Sequence, residues 1–312
     1  MNSSSANTPR TIAEYLSQLR LALRGADPAL IQDALYDAEE HLRAELADQP
    51  DRDEASMLHQ VVGSYGAPDE VADIYRDQEI KIQRAIRPPP APRRRSLLGK
   101  FFGVAADAKT YGALFYMLLS LATGTFFFTW VVTGLSLSIS FFVLIIGIPF
   151  TVLFFGSVRG LSLLEGRIVE TMLGVRMPRR PPYPEQKERP LLKRLAAMFT
   201  DVRTWTTLLY MLLMLPLGIV YFTLAVSLLS LSLALVLTPL ALAFQHHWGT
   251  DALVNGLTVD WGFGAHMPGA GEAVALCLLG SVLLFVTLHL VRGLGMLHGQ
   301  LAKQLLVPQA LD

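Results

Sequence analysis

Six side chains between residues 246 and 272 have the chemistry to hold a cation or take up a proton: His246, His247, Asp251, Asp260, His266 and Glu272. Imidazole and carboxylate groups suit zinc or copper, and an imidazole titrates near neutral pH. Their spacing fits no standard metal site. The same stretch carries Trp248 and Trp261, as a polar loop bordered by interfacial aromatics would. We read His246, His247, Trp248, Asp251, Asp260, Trp261 and His266 as a candidate sensing loop, and assign no catalytic, cofactor-binding or metal residue. No Walker loop, dinucleotide fingerprint, metal-hydrolase motif or nucleophile elbow is present, so the expectation is a protein that is not an enzyme.

A second chemical signal is written twice. Residues 107 to 128 read "DAKTYGALFYMLLSLATGTFFF" and residues 201 to 222 read "DVRTWTTLLYMLLMLPLGIVYF", identical at 10 of 22 positions. Chance explains matching leucines but not Asp107, Thr110, Tyr116, Met117 and Gly124 recurring as Asp201, Thr204, Tyr210, Met211 and Gly218. Lys109 and Tyr111 are answered by Arg203 and Trp205, "LSLS" recurs at 135 to 138 and 229 to 232, and "VRGL" recurs at 158 to 161 and 291 to 294. This is an internal repeat. Asp107, Lys109, Thr110 and Tyr111, with Asp201, Arg203, Thr204 and Trp205, mark the entry of each repeat: charges in the headgroup region, with an aromatic ring anchoring the interface. If the motif also joins the halves, Asp201 takes a base from the other repeat.

The elements that carry these residues are membrane spans. The chain has 312 residues, 52% hydrophobic and 17% charged, against about 25% charged in an ordinary soluble domain. Residues 111 to 158 and 204 to 250 contain no Asp, Glu, Lys or Arg, and neither do residues 273 to 291. A crossing needs about 20 apolar residues, and its backbone must be helical. The repeat gives four crossings rather than five, as two parallel hairpin repeats at about 107–175 and 201–307. The first hairpin closes near "TGLSLSIS", 133 to 140. Leu228 to Phe244 extends the third helix or lies in the outer leaflet, and "SLSLALVL" also permits a short non-helical piece. Pro216 and Pro239 are candidate kinks, and Ser230, Ala234 and Thr238 form a small-residue packing stripe. Ten Lys or Arg against five acids in residues 158 to 204, and seven against one in 83 to 110, place those segments and both termini in the cytoplasm. His289 falls at the inner headgroup boundary. Cys277, the only cysteine, permits no intrachain disulfide.

Residues 10 to 86 read differently. Thr11 and Glu14 have capping-box spacing, Asp27 precedes Pro28 as an N-cap before a first-turn proline, and Gly66 punctuates the third of four amphipathic helices. Residues 1 to 82 carry 16 acids against 7 bases. The expectation is a small, acidic, water-soluble helical bundle. The segment "RPPPAPRRR", 87 to 95 within a linker over 87–100, is a stiff spacer that holds the bundle away from the membrane domain, 101–308. The fold class is therefore all-α: a cytoplasmic bundle plus a polytopic membrane domain.

"EYLSQLRLALRG", "ALYDAEEHLRAEL" and "VVGSYGAPDEVADIYR" resemble the HAAS signalling domain, over about residues 10 to 80. The rest, about 96 to 308, is similar to the bacterial "Putative sensor" membrane domain, on "DVRTWTTLLYMLLMLPLGIVYFTLAVSLLSLSLALVLTPLAL" and the recurring "VRGL". The resemblance implies membrane-linked signalling through a cytoplasmic regulator, PadR-like or part of a histidine kinase system. No kinase module is expected after residue 300, so output is expected to pass through a partner. The partners expected are the lipid bilayer, such a regulator and a second copy in a homodimer, with no nucleic acid. A transport subunit and a structural membrane protein that oligomerises through its bundle are the competing readings.

Overall fold

The structure is a computed structural model that describes residues 9–49, 52–86, 96–141, 147–180, 196, 199–248, 260, 262, 264 and 266–307. All regular elements among the described residues are helical. They are α1 (Ile12–Ala22), α2 (Pro28–Asp48), α3 (Glu54–Tyr65), α4 (Pro68–Ile86), α5 (Leu97–Gly103), α6 (Ala108–Phe141), α7 (Gly147–Leu173), α8 (Val202–Trp248) and α9 (Ala270–Leu306), with a 3-10 turn at Val104–Ala106. The chain divides into two compact units. One comprises Met1–Ala91, Trp130–Tyr210 and Gln300–Asp312; the other comprises Pro92–Thr129 and Met211–Gly299.

In the first unit, α1 to α4 form the bundle. Thr11 caps α1 through its hydroxyl, which accepts the Glu14 N–H at 3.1 Å. Asp27 Oδ1 accepts the Ala29 N–H at 2.9 Å, and Pro28 follows where its missing N–H costs nothing. Gly66 ends α3 with φ 112°, a conformation that L side chains resist. Its carbonyl accepts the Tyr15 hydroxyl at 2.9 Å, tying α1 to the α3–α4 turn. Tyr15, Leu19, Leu23, Leu42, Met57 and Leu58 are fully buried between the helices. Each contributes roughly 1.5–3 kcal/mol of hydrophobic stabilisation.

Four helices are long and apolar enough to cross a membrane: Ala108–Phe141, Gly147–Leu173, Val202–Phe244 and Ala270–Leu306. Many of their large apolar side chains, Ile139, Leu153, Leu240 and Leu278 among them, face outward, as lipid-facing residues do. The first hairpin does not close at 133–140, because α6 stays helical to Phe141, and α7 begins at Gly147. Serine and glycine break helices in water but are tolerated in spans, where the backbone has no other partner. For the same reason "SLSLALVL" is uninterrupted helix, and α8 continues to Trp248 with Pro216 and Pro239 inside it.

In the second unit, the repeat glycines let backbones meet. A Cβ on Gly124 would lie 2.3 Å from the Met214 carbonyl oxygen, and one on Gly218 would lie 2.3 Å from that of Ser120. Since Met214 stands 94 residues after Ser120, the contact is reciprocal between equivalent positions. Ser230 and Ala234 are exposed. The packing face of α8 there is Ser232, Leu235 and Val236, against Gly280 of α9.

Candidate signalling junction

The bundle is not held away from the membrane domain. Within the first unit it grips the segment that follows α7. Gly174, with φ 71°, ends that helix and donates its N–H to the Glu170 carbonyl at 3.1 Å. The chain then turns so that Met177 is buried and packs beside Gly166. Arg176 is held by three carboxylates: Asp33 at 3.0 Å, Glu79 at 3.3 Å and Glu170 at 3.1 Å. Two come from the bundle and one from α7. Asp33 Oδ1 also accepts the N–H groups of Arg179 at 2.7 Å and Arg180 at 2.8 Å. Arg180 pairs with Asp37 at 3.1 Å and lies over the Tyr36 ring.

Further contacts extend this junction. Gln32 donates to the Arg180 carbonyl at 2.5 Å and accepts from Arg203 Nη2 at 3.0 Å. Lys303 of α9 reaches Asp27 at 2.5 Å. Thus the 174–180 segment and the start of α8 touch the first half of α2, and the end of α9 touches its N-cap. The electrostatics agree, since an acidic bundle meets the basic 158–204 segment. Burial pushes the Asp33 carboxyl above its ordinary value, against the pull of the two N–H groups and Arg176. It raises the Tyr65 and Tyr75 hydroxyls too, helped by the nearby Asp37 charge; Tyr75 donates to Asp37 at 3.2 Å.

The entry motifs have matching geometry. Asp107 Oδ1 accepts the Lys109 N–H at 3.1 Å while Oδ2 pairs with Arg292 at 2.9 Å. Asp201 Oδ1 accepts the Arg203 N–H at 3.0 Å while Oδ2 pairs with Arg159 at 3.4 Å. Arg159 and Arg292 are the arginines of the two "VRGL" words, so each entry acid is bound to the other repeat's exit. Tyr111 donates its hydroxyl to the Ala105 carbonyl and Trp205 donates its ring N–H to that of Phe199, each six residues back. Thr110 and Thr204 are buried, whereas Lys109 is exposed.

A further pair of equivalent contacts follows. Tyr210 donates to Glu165 at 3.0 Å, and Tyr116 lies 2.6 Å from His298, which also has Tyr221 at 3.4 Å. Glu165 and His298 each stand seven residues after the valine of "VRGL".

Residues 116–306 match the family described as "Putative sensor", and residues 14–73 match HAAS. The chain belongs to the Putative sensor family. No curated protein and no solved structure matches it. The family match covers three of the four apolar helices in full and the fourth, α6, from Tyr116 on, so this member is a membrane protein of a sensor family with a HAAS domain at its N-terminal side.

In this sensor domain, the loop beyond α8 is only partly described. Asp251 and Trp261 lie outside the described residues, as do the side chains of His246, His247 and Trp248, whose backbone belongs to α8. Asp260 Oδ1 accepts the N–H groups of Gly262 and Gly264. His266 pairs with Glu272 at 3.1 Å, and this hydrogen bond raises the imidazole above its ordinary value. Among the described residues no three His, Cys, Asp or Glu side chains group as metal ligands would. His289 accepts or donates at the Phe101 carbonyl, 3.1 Å away, and stacks on the Phe101 ring.

Sequence reading missed Asp33, Glu165 and His298. The shared offset from "VRGL" could have found the last two. Nothing local distinguishes Asp33 from the other acids of α2, because its role arises from residues 143 to 147 positions away.

Proposed function

We propose that this chain is a non-enzymatic sensor of the bacterial cytoplasmic membrane. Its spans register a change in the envelope or the lipid phase, and its bundle passes that change to a cytoplasmic regulator. The observation that carries the reading is the clamp on Arg176, which joins Glu170 at the end of α7 to Asp33 and Glu79 of the bundle. Helix shifts in switching proteins are about 1–2 Å. A shift of that size in α7 stretches bonds of about 3 Å beyond hydrogen-bonding range, so the segment must carry the bundle with it or let go. The first outcome moves the bundle as a body, and the second uncovers Asp33 and Glu79, acids of α2 and α4. The basic segments 83–110 and 158–204 support a cytoplasmic location for the bundle. The resemblance to HAAS domains favours a PadR-like regulator or a histidine kinase system as the receiver, with a homodimer as the working form.

The test is transcript profiling of cells carrying the wild-type chain, Arg176→Gln and a chain lacking the bundle, under envelope stress. A discrete gene set that responds in the wild type and changes in both variants supports the relay. Identical responses in all three strains contradict it.

A further inference from the structure

A cleft lies between α7 and the start of α8, beside the junction but separate from its carboxylates. It is lined by Phe155, Val158, Ser162 and Leu163 with Arg159, Arg203, Thr204 and Thr207, and is small, with about 20 Å³ of accessible space. Two guanidinium groups and three hydroxyls in one small cleft, at the basic end of two spans, form an unusual lining for a membrane helix pair.

Its charges are unbalanced. Arg159 and Arg203 face a single acid, Asp201, which reaches Arg159 at a long 3.4 Å and gives its other oxygen to a backbone N–H. Among the described residues no carboxylate pairs with Arg203. Its contacts are the neutral Gln32 side chain at 3.0 Å and the Leu306 carbonyl at 3.5 Å. A half-buried guanidinium with only neutral acceptors is poorly compensated. The Thr204 hydroxyl, on a residue 6% exposed, lines the same cleft and has no hydrogen-bond partner. Unpartnered buried polar groups are uncommon, and a ligand in the cleft would satisfy this one; the Thr110 hydroxyl, its repeat equivalent, is likewise unpartnered.

We infer that this cleft binds a phosphate group, with Arg159 and Arg203 neutralising its charge and the hydroxyls of Thr204 and Thr207 at its edge; Ser162 already donates to the Arg159 carbonyl at 2.8 Å. Guanidinium suits phosphate better than ammonium does, because it can offer two parallel N–H donors. The repeat-equivalent positions keep only part of this set: Arg292 and Thr110 answer Arg159 and Thr204, but Lys109 stands for Arg203, Gly295 for Ser162 and Ala113 for Thr207. The phosphate belongs to an anionic phospholipid headgroup of the inner leaflet, where basic pockets between spans capture such groups, or to a soluble phosphorylated compound. Because Arg203 also holds Gln32, occupation competes with one contact of the bundle. The binding site itself stands on the cleft and is independent of the relay.

The full chain is purified into nanodiscs of neutral phosphatidylcholine, with or without one-fifth phosphatidylglycerol, and retained lipid is measured by native mass spectrometry. Inorganic phosphate is titrated separately in neutral nanodiscs, with thermal unfolding as the readout. Retention of phosphatidylglycerol over phosphatidylcholine, reduced about fivefold in Arg203→Gln and lowered in the nearly isosteric Thr204→Val, identifies a lipid headgroup. Stabilisation by phosphate alone that both variants lose identifies a soluble ligand. Lys109→Gln, at the equivalent position of the first repeat, leaves either signal intact. The proposal is overturned if the wild type shows neither preference, or if Thr204→Val, folded as judged by circular dichroism, matches the wild type in both.

Discussion

Arg176→Gln tests the junction at its centre. The substitution leaves Asp33, Glu79 and Glu170 facing one another without their shared cation, and their side chains are 10%, 10% and 18% exposed. Removing one partner of a buried ion pair costs about 3–5 kcal/mol, because the remaining charge stays desolvated. Solvent screening is slight at this burial, so the bundle's hold on the 174–180 segment weakens by about 10²- to 10⁴-fold. The readout is hydrogen exchange of the full chain in nanodiscs. The Arg179 and Arg180 amides, which donate to Asp33 in the wild type, exchange faster by up to that factor, while the amides of the bundle core keep their protection. Acid moves the result in a defined direction. Burial raises the Asp33 carboxyl above its ordinary 3.8, so the docked state holds that proton more tightly than the free state. Its contribution is complete below pH 3.8 and fades as pH rises through the raised value. The variant therefore docks best in acid and loosens as pH rises. Wild-type exchange of both amides in Arg176→Gln at neutral pH would refute the reasoning.

Other expectations concern single sites. Gly218→Ala places a methyl group 2.3 Å from the Ser120 carbonyl and lowers the thermal stability of the detergent-solubilised protein, by about 1–3 kcal/mol from overpacking. Gly293→Ala, where a Cβ meets nothing within 4 Å, leaves stability unchanged or raises it. Leu42→Ala, at a fully buried bundle position, costs about 2–5 kcal/mol, read as lost helical signal from the bundle on heating. In histidine-labelled protein, His266 titrates above 6.5, because the hydrogen bond with Glu272 favours the charged ring; the pair persists below 6.5 and is lost as pH rises through the raised value. Glu272→Gln returns the titration toward 6.5, and an unmoved titration would show that the contact is not formed.

Much of this architecture was legible because it is periodic. The caps at Thr11 and Asp27, the break at Gly66 and the charge-free runs each have a local physical cause, and the helices begin and end near them. The repeat was legible from Asp107 and Asp201 because polar matches inside apolar sequence are rarely accidental. Less could be read where the solvent changes the rules. Serine-rich "TGLSLSIS" suggests a turn in water but stays helical in a span, where the backbone must bond to itself. The junction was least legible. The proline-rich linker suggested separation, yet docking is decided by Asp33 and Arg176, which are 143 residues apart. Net charge showed only that an acidic bundle and a basic segment were available to each other.

Cysteine cross-linking in native membranes tests most directly whether the bundle is seated on the segment after α7. With Cys277→Ser as background, the pair Gln32→Cys and Arg180→Cys replaces residues whose side chain and carbonyl lie 2.5 Å apart. The control pair is Asp48→Cys with Arg180→Cys, moved along α2 by 16 residues, about 24 Å at 1.5 Å per residue. The account predicts an intramolecular disulfide in the first pair under mild oxidation and little in the control. Equal yields in the two pairs, or none in the first, would contradict it.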